Sequence, residues 1–323
     1  MTPTQLRAFS AVVRLGSVKD AAAELNVTEA AVSLHIGTLR KELGDKLFTR
    51  TSVGLAFTPG GLRLARRATE MLGLQDRTIR EVSQAGQGRR LLRIAASSLF
   101  AEHAAPGLIE LFTSRAKDLD VEMIVCHSHQ FQPLLASRAV DVAIGPEVRD
   151  VESRGAGESL VATPFLNYRL VVVAAPDHPQ AGELDRPDRL AEQTWLLGPS
   201  AVGDDDAVPR ALAHFGVPEE RQRIFQSHAA ALEEVKRGHG VALAVAFSVA
   251  GDLSGGRLIQ LADHGLKADG AWNAITLPSH SLLPAAAELT RFVATPRALQ
   301  AMLRGTGANV GHFRPSVHVT LWS

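Results

Sequence analysis

The chain has 323 residues, 46% of them hydrophobic and 21% charged, and its 34 basic side chains balance 34 acidic ones. It is too long for a single nucleic-acid-binding module, long enough for two or three cores, and ordinary in composition for a soluble globular protein. One cysteine, Cys126, excludes an internal disulfide framework and fits a reducing compartment. No stretch approaches the roughly 20 apolar residues of a membrane span. The N-terminus enters an amphipathic helix directly, without an export signal. A cytoplasmic protein with no membrane partner is therefore expected. The zero net charge hides an asymmetry: residues 1–90 carry 14 Lys and Arg against 8 Asp and Glu, and residues 91–323 carry 20 against 26. A basic head joined to an acidic remainder has this distribution.

In chain order, Ser17 caps a short helix, with Asp20 at capping-box spacing. Leu25-Asn26-Val27 breaks it, and asparagine tolerates a left-handed turn. Thr28 caps a second helix whose apolar stripe is Val32, Ile36, Leu39 and Leu43, and Gly44 stops it. Two helices joined by so tight a turn predict a helix-turn-helix, whose second helix normally enters the major groove of DNA. Thr58-Pro59 starts a third long helix, running to about Gly86. Its positions Ala65, Ala68, Leu72, Gln75, Ile79, Val82 and Gly86 alternate by 3 and 4. That is a thin coiled-coil seam, on a helix on the order of 40 Å long. A helix packed only on its own domain has the same pattern.

Gln84–Arg90 is a hinge by composition. Strands then alternate with helices: strand 91–95, helix 100–115, strand 121–125, helix 130–138 and strand 140–144. Strand 170–175, Trp195-Leu196-Leu197, helix 207–215, helix 229–237 and strand 241–245 follow, then strand 271–277 and helix 284–303. The alternation predicts an α/β architecture with a parallel core. The tail from Gly305 to Ser323 alternates Val317, Val319 and Leu321 with polar residues, and is either an edge strand or a disordered terminus.

The order Leu6, Phe9, Gly16-Ser17, Ala21-Ala22, Leu25, Val32-Ser33, Ile36, Leu39-Arg40, Leu43-Gly44, Leu47-Phe48, Arg50 and Thr58-Pro59-Gly60 resembles the LysR-type transcriptional regulators. The turn followed by Leu-Gly-x-x-Leu-Phe-x-Arg and Thr-Pro-x-Gly carries most of the specificity, and the resemblance extends more loosely to about residue 304. It implies a winged helix-turn-helix over residues 1–58 and a linker and dimerisation helix with hinge over 59–88. Residues 89–304 would then form a two-lobed α/β effector domain resembling a periplasmic binding protein. Lobe I would take about 89–163 and 269–304, and lobe II about 164–268, leaving 305–323 as a tail. The implied protein is a homodimer or homotetramer that binds a double-stranded operator and a small-molecule effector, with no cofactor. The seam residues Ala65, Ala68, Leu72, Ile79 and Val82 would then serve dimerisation.

With the stripe buried, the recognition helix offers Glu29, Ser33, Leu34, Gly37, Thr38 and Lys41 to DNA. Ser33 can reach a phosphate or base edge, and Glu29 can accept from a cytosine amino group or simply sit favourably in the first turn of its helix. Thr28 and the amides after it form a helix N-terminus for a phosphate. Arg50, Thr51 and Ser52 fall where a wing would follow the backbone. The chain departs from the family in having Glu29-Ala30-Ala31 where Gln-Pro-Ala is common, and Leu34, His35 and Gly37 where basic or amide residues are common.

Ligands of open α/β sheets sit beyond the carboxyl ends of strands. Ser97 and Ser98, His127-Ser128-His129, Gly198, Ser200, His228 and Phe247 occupy such positions and are the candidate effector contacts. Ser98 is equally placed to be a simple helix cap. Cys126, His127 and His129 invite a metal reading, but on an extended segment the histidines share a face from which Cys126 points away, so no metal is expected. Asp204-Asp205-Asp206 reads as a solvated loop. No Gly-x-Ser-x-Gly, His-Glu-x-x-His or phosphate loop is present, so no enzyme is expected. An effector-independent architectural DNA-binding protein is the competing expectation.

Overall fold

The computed structural model describes residues 1–51, 54–86, 88–146, 160–178, 187–202, 207–261, 269–278 and 282–303. Ser52, the Asp204–Asp206 run and the 305–323 tail lie outside them. The chain divides into two compact units, one built on Met1–Gly88 and one on the chain from Arg89 onward, Pro133–Ala139 apart.

The first unit opens with α1 (Pro3–Leu15), where Thr2 and Gln5 form a capping box. Next come α2 (Val18–Leu25) and α3 (Glu29–Leu43). Asn26 ends α2 at φ 56°, the left-handed turn that asparagine tolerates. The caps lie where the sequence puts them: Asp20 N–H donates to Ser17 Oγ, and Ala31 N–H to Thr28 Oγ1. Phe9, Val12, Ala21, Val32 and Leu39 are fully buried in one core with Leu47 and Phe48. Leu43, expected on that core, is 43% exposed, because α3 ends at Gly44 just past the packed turn. Strands β1 (Phe48–Thr51) and β2 (Gly54–Phe57) pair antiparallel, with Arg50 opposite Leu55. α4 follows over Pro59–Ala85.

The junction before α4 is held by Asp45, which accepts from Leu47 N–H at 2.6 Å and Thr58 Oγ1 at 2.7 Å, while Thr58 Oγ1 accepts from Gly61 N–H. A Cβ on Gly61 would come to 1.9 Å of the Leu47 carbonyl oxygen, so glycine is required there by close approach.

After α4 come β3 (Arg90–Ala96), α5 (Ser98–His103), α6 (Ala105–Thr113), β4 (Leu119–Val125), α7 (Phe131–Ala136), which from Pro133 on falls in the first unit, and β5 (Val142–Gly145). The expected single helix over 100–115 is two, broken at Ala104 ahead of Pro106. β6 (Val161–Ala174) is far longer than the apolar run 170–175 that signalled it. After it come α8 (Pro187–Ala191), β7 (Trp195–Leu197), α9 (Ala207–His214), β8 (Gln222–Ile224), α10 (His228–Lys236), β9 (Ala242–Val245), α11 (Ala250–Ser254) and β10 (Ile259–Gln260). The chain returns through β11 (Asp269–Thr276), α12 (Pro284–Val293) and α13 (Pro296–Met302). Thr295 caps α13 with Pro296 at its first position, which divides the helix expected over 284–303.

β3 runs parallel to both β4 and β5, the core of lobe I. β6 and β11 pair antiparallel along their length and connect that core to lobe II, where β9 and β10 both pair with β6. The β6–β11 register slips between Trp272 and Asn273. Aromatic rings gather there: Trp272 lies 4.7 Å from Tyr168, 5.3 Å from Phe100 and 6.0 Å from Phe247, centre to centre.

Candidate DNA interface and effector site

On α3 the buried stripe Val32, Ile36 and Leu39 turns the opposite face outward, where Glu29, Ser33, Thr38 and Lys41 are exposed. Thr38 Oγ1 donates to the Leu34 carbonyl and Thr28 Oγ1 accepts from Ala31, so both hydroxyls serve the helix first. Leu34 is 70% exposed on this face. No atom lies within 4 Å of where a Gly37 side chain would be. The face is thus polar at its ends with a flat apolar centre, suited to a thymine methyl in the major groove. Arg40 turns inward: its Nη2 donates to the Phe48 carbonyl at 2.8 Å and its guanidinium lies 4.7 Å from the Phe48 ring centre, which ties α3 to β1. Arg50 and Thr51 are the last residues of β1.

The proposed seam on α4 divides. Ala68 is fully buried and has no area to give a partner, while Ala65 is half-buried against the first unit's own core. That is the same-domain packing that the 3-and-4 alternation equally allowed. Leu72 is half-buried, while Ile79 and Val82 are 59% and 69% exposed, joined on the open side by Met71 and Leu74.

In the second unit Ser97 follows β3 and precedes α5. Its N–H donates to the Ile144 carbonyl, but its Oγ is buried, makes no cap bond and has no hydrogen-bond partner. Such an orphaned hydroxyl costs roughly 1–3 kcal/mol unless a water or ligand meets it. Ser98 opens α5 and is half-buried. His127, Ser128 and His129 enter a 3-10 turn, not an extended segment, and the two rings stack at 5.7 Å. Burial pushes the neighbouring Cys126 thiol up. Among the described residues no three metal-ligating side chains converge.

Gly198, Ser200 and His228 do converge, on a residue that the sequence reading missed. Ser200 Oγ lies 2.8 Å from His228 Nε2, and His228 Nδ1 lies 2.9 Å from Glu102 Oε1. Glu102 also accepts from the backbone N–H of His228 (3.1 and 2.9 Å to its two oxygens) and of Ala229 (3.3 Å). A Cβ on Gly198 would fall 2.3 Å from the His228 ring, so glycine leaves the imidazole its space. Ser200 and His228, expected to touch an effector, are both over nine-tenths buried here and direct their polar atoms to each other and to Glu102. The sequence shows only that Glu102 lies one helical turn after Ser98, the sole carboxylate in the run Leu99-Phe100-Ala101-Glu102-His103; it does not show what that carboxylate meets. Burial pushes the Glu102 carboxyl up, but the His228 ring and the two amides outweigh it and hold it below the usual carboxylate range. Burial and the neighbouring His228 push His103 down to about 4, so it is uncharged at neutral pH. Phe247 lies against Trp272 in the aromatic group beside α5.

Residues 3–62 match the bacterial regulatory helix-turn-helix protein family of LysR type, and residues 85–296 match the LysR substrate binding domain. An uncharacterized HTH-type transcriptional regulator of Mycobacterium tuberculosis (strain ATCC 25618 / H37Rv) is 56% identical over 323 residues, covering 100% of both chains. The RuBisCO operon transcriptional regulator of Allochromatium vinosum is 30% identical over 298 residues, 91% of this chain and 96% of its own. Among solved structures, full-length LysG from Corynebacterium glutamicum with bound effector Arg superposes with a TM-score of 0.58 at 22% identity, over 93% of this chain and 99% of that one. ArgP from Mycobacterium tuberculosis gives 0.57 at 21% identity, over 93% and 97%. These two likenesses are of fold.

Proposed function

We propose a working arrangement for a chain that belongs to the LysR family of transcriptional regulators: a DNA-binding regulator with an effector-binding domain, and not an enzyme. In this reading it works in the cytoplasm as a homodimer or homotetramer, and two copies of α3 read the half-sites of one operator. Ser33, Leu34, Thr38 and Lys41 face the bases and phosphates, the amides after Thr28 hold a phosphate, and Arg50 with Thr51 and Ser52 follows the backbone beside them. Glu29 weakens the grip on phosphates. The observation that carries the reading is the fully exposed outer face of α3 opposite a stripe with no accessible surface at Val32 and Leu39.

Copies associate through the open side of α4, where Met71, Leu74, Ile79 and Val82 expose apolar surface that a second α4 would cover. The effector meets Ser97, Ser98, the His127–His129 turn and Phe247 at the strand ends, and the unpartnered Ser97 hydroxyl supports a polar group on that ligand. The test is sedimentation of the full chain beside Leu74→Lys/Val82→Lys. The wild type should be dimeric or larger and the double variant monomeric. An unchanged assembly would overturn the α4 assignment.

A further inference from the structure

We infer that Glu102 is a latch that holds the two lobes of the effector domain together, a device resting on the reading of that domain as effector-gated. Glu102 stands on α5 in lobe I, and its carboxylate bonds His228 and Ala229 in lobe II, 126 and 127 positions along the chain. Glu102 and Ser227 together occupy the amides of the first turn of α10. The Glu102 oxygens take the amides of His228 and Ala229, and Ser227 Oγ takes that of Ala230, so no first-turn donor is left for a dissolved anion while the latch is shut. The carboxylate also fixes the histidine. With Nδ1–H given to Glu102, Nε2 accepts from the Ser200 hydroxyl, and a protonated ring donates to both without breaking either contact. Gly198 provides the space in which the ring sits.

The lobes are also joined by the β6–β11 pair, whose register slips at Trp272/Asn273, and α5 packs on the 3-10 turn Pro199–Ala201 as well. Two strands with an irregularity permit rotation, and a charge-assisted contact between α5 and α10 sets how far they rotate. The His103 ring lies 5.6 Å from that of His228 and is neutral at ordinary pH. The titratable groups facing the contact are Glu102, His228 and His103. Loss of the carboxylate charge opens it. Since the folded Glu102 carboxyl lies below its ordinary value, the latch persists through neutral and mildly acid pH and fails only as pH falls through that lowered value.

The test is an interlobe distance in the full-length chain carrying Cys126→Ser, with spin labels at Glu110→Cys on α6 and Glu220→Cys in lobe II, both exposed positions. Glu102→Ala should lengthen and broaden the distance distribution without any ligand, Glu102→Gln should do so partially, and Gly198→Ala should act in the same direction by displacing the ring. A distribution unchanged in Glu102→Ala overturns the latch. Should that variant fail to fold, an unchanged distribution in both Glu102→Gln and Gly198→Ala overturns it instead. No DNA or effector enters the measurement. A protein whose operator binding ignores every metabolite but whose labels still move would refute effector gating and leave the latch intact.

Discussion

Glu29 and Leu34 set the character of the recognition face more than its polar residues do. Glu29 puts a carboxylate at the end of α3 that approaches DNA, where a like charge near 4 Å in water costs roughly 1 kcal/mol. Glu29→Gln should therefore tighten binding to random duplex about fivefold, read by fluorescence anisotropy at fixed salt, and a weaker complex would show that Glu29 contacts a base. Lys41→Ala should weaken binding to all sequences alike and lower the slope of log affinity against log salt by roughly 1. Asp45 has a different task. The Thr58 hydroxyl and the Leu47 amide hold its carboxyl below the usual range, against the opposing effect of burial. A carboxyl lowered by folding stabilises above its unfolded value near 4, and that contribution disappears as pH falls through the folded value. Calorimetry should find Asp45→Asn melting below wild type at pH 7, with the gap closing below about pH 4. The exposure of Leu34 and the hidden Glu102 mark the limits of reading at this scale. The sequence places both on helices, but only the packing shows that one side chain is left bare and the other reaches a helix in the opposite lobe.

At the scale of elements, caps and breakers carried the reading. Ser17, Asn26, Thr28, Gly44 and Pro59 each act locally through a hydrogen bond or a backbone angle, so their positions are legible without the fold. The divisions at Ala104 and Thr295 were legible too, since Pro106 and Pro296 sit where a continuing helix would lose a donor. The length of β6 was not, because its first half pairs with β11, roughly a hundred residues away. The seam on α4 divides for a similar reason: a 3-and-4 alternation does not say which neighbour covers it, and α4 packs on α1 with Ala68 fully buried. Gly61 is a tight point of the first unit. Gly61→Ala should cost at least about 1–3 kcal/mol by driving a methyl into the Leu47 carbonyl. For a unit of this size that lowers the melting temperature by about 4–8 °C per kcal/mol. An unchanged melting curve would mean that the wing and α4 adjust freely.

Across the whole molecule, the opposed charges of the two ends, +6 over residues 1–90 and −6 over 91–323, describe a basic reader on an acidic sensor. That division was legible from composition, because it needs no contact map. The chemistry of the effector site was not legible, since it depends on which strand ends the β6–β11 pair brings together. The account depends most directly on sequence-specific reading by paired α3 helices. The deciding measurement is selection of bound sequences from random duplex DNA at a stated salt, with Ser33→Ala and Arg50→Ala run alongside. Enrichment of an interrupted palindrome by the wild type, with half-sites about one helical turn or a multiple apart, and its loss in the variants is the predicted result. Enrichment of no sequence, with both variants binding as the wild type does, would contradict it.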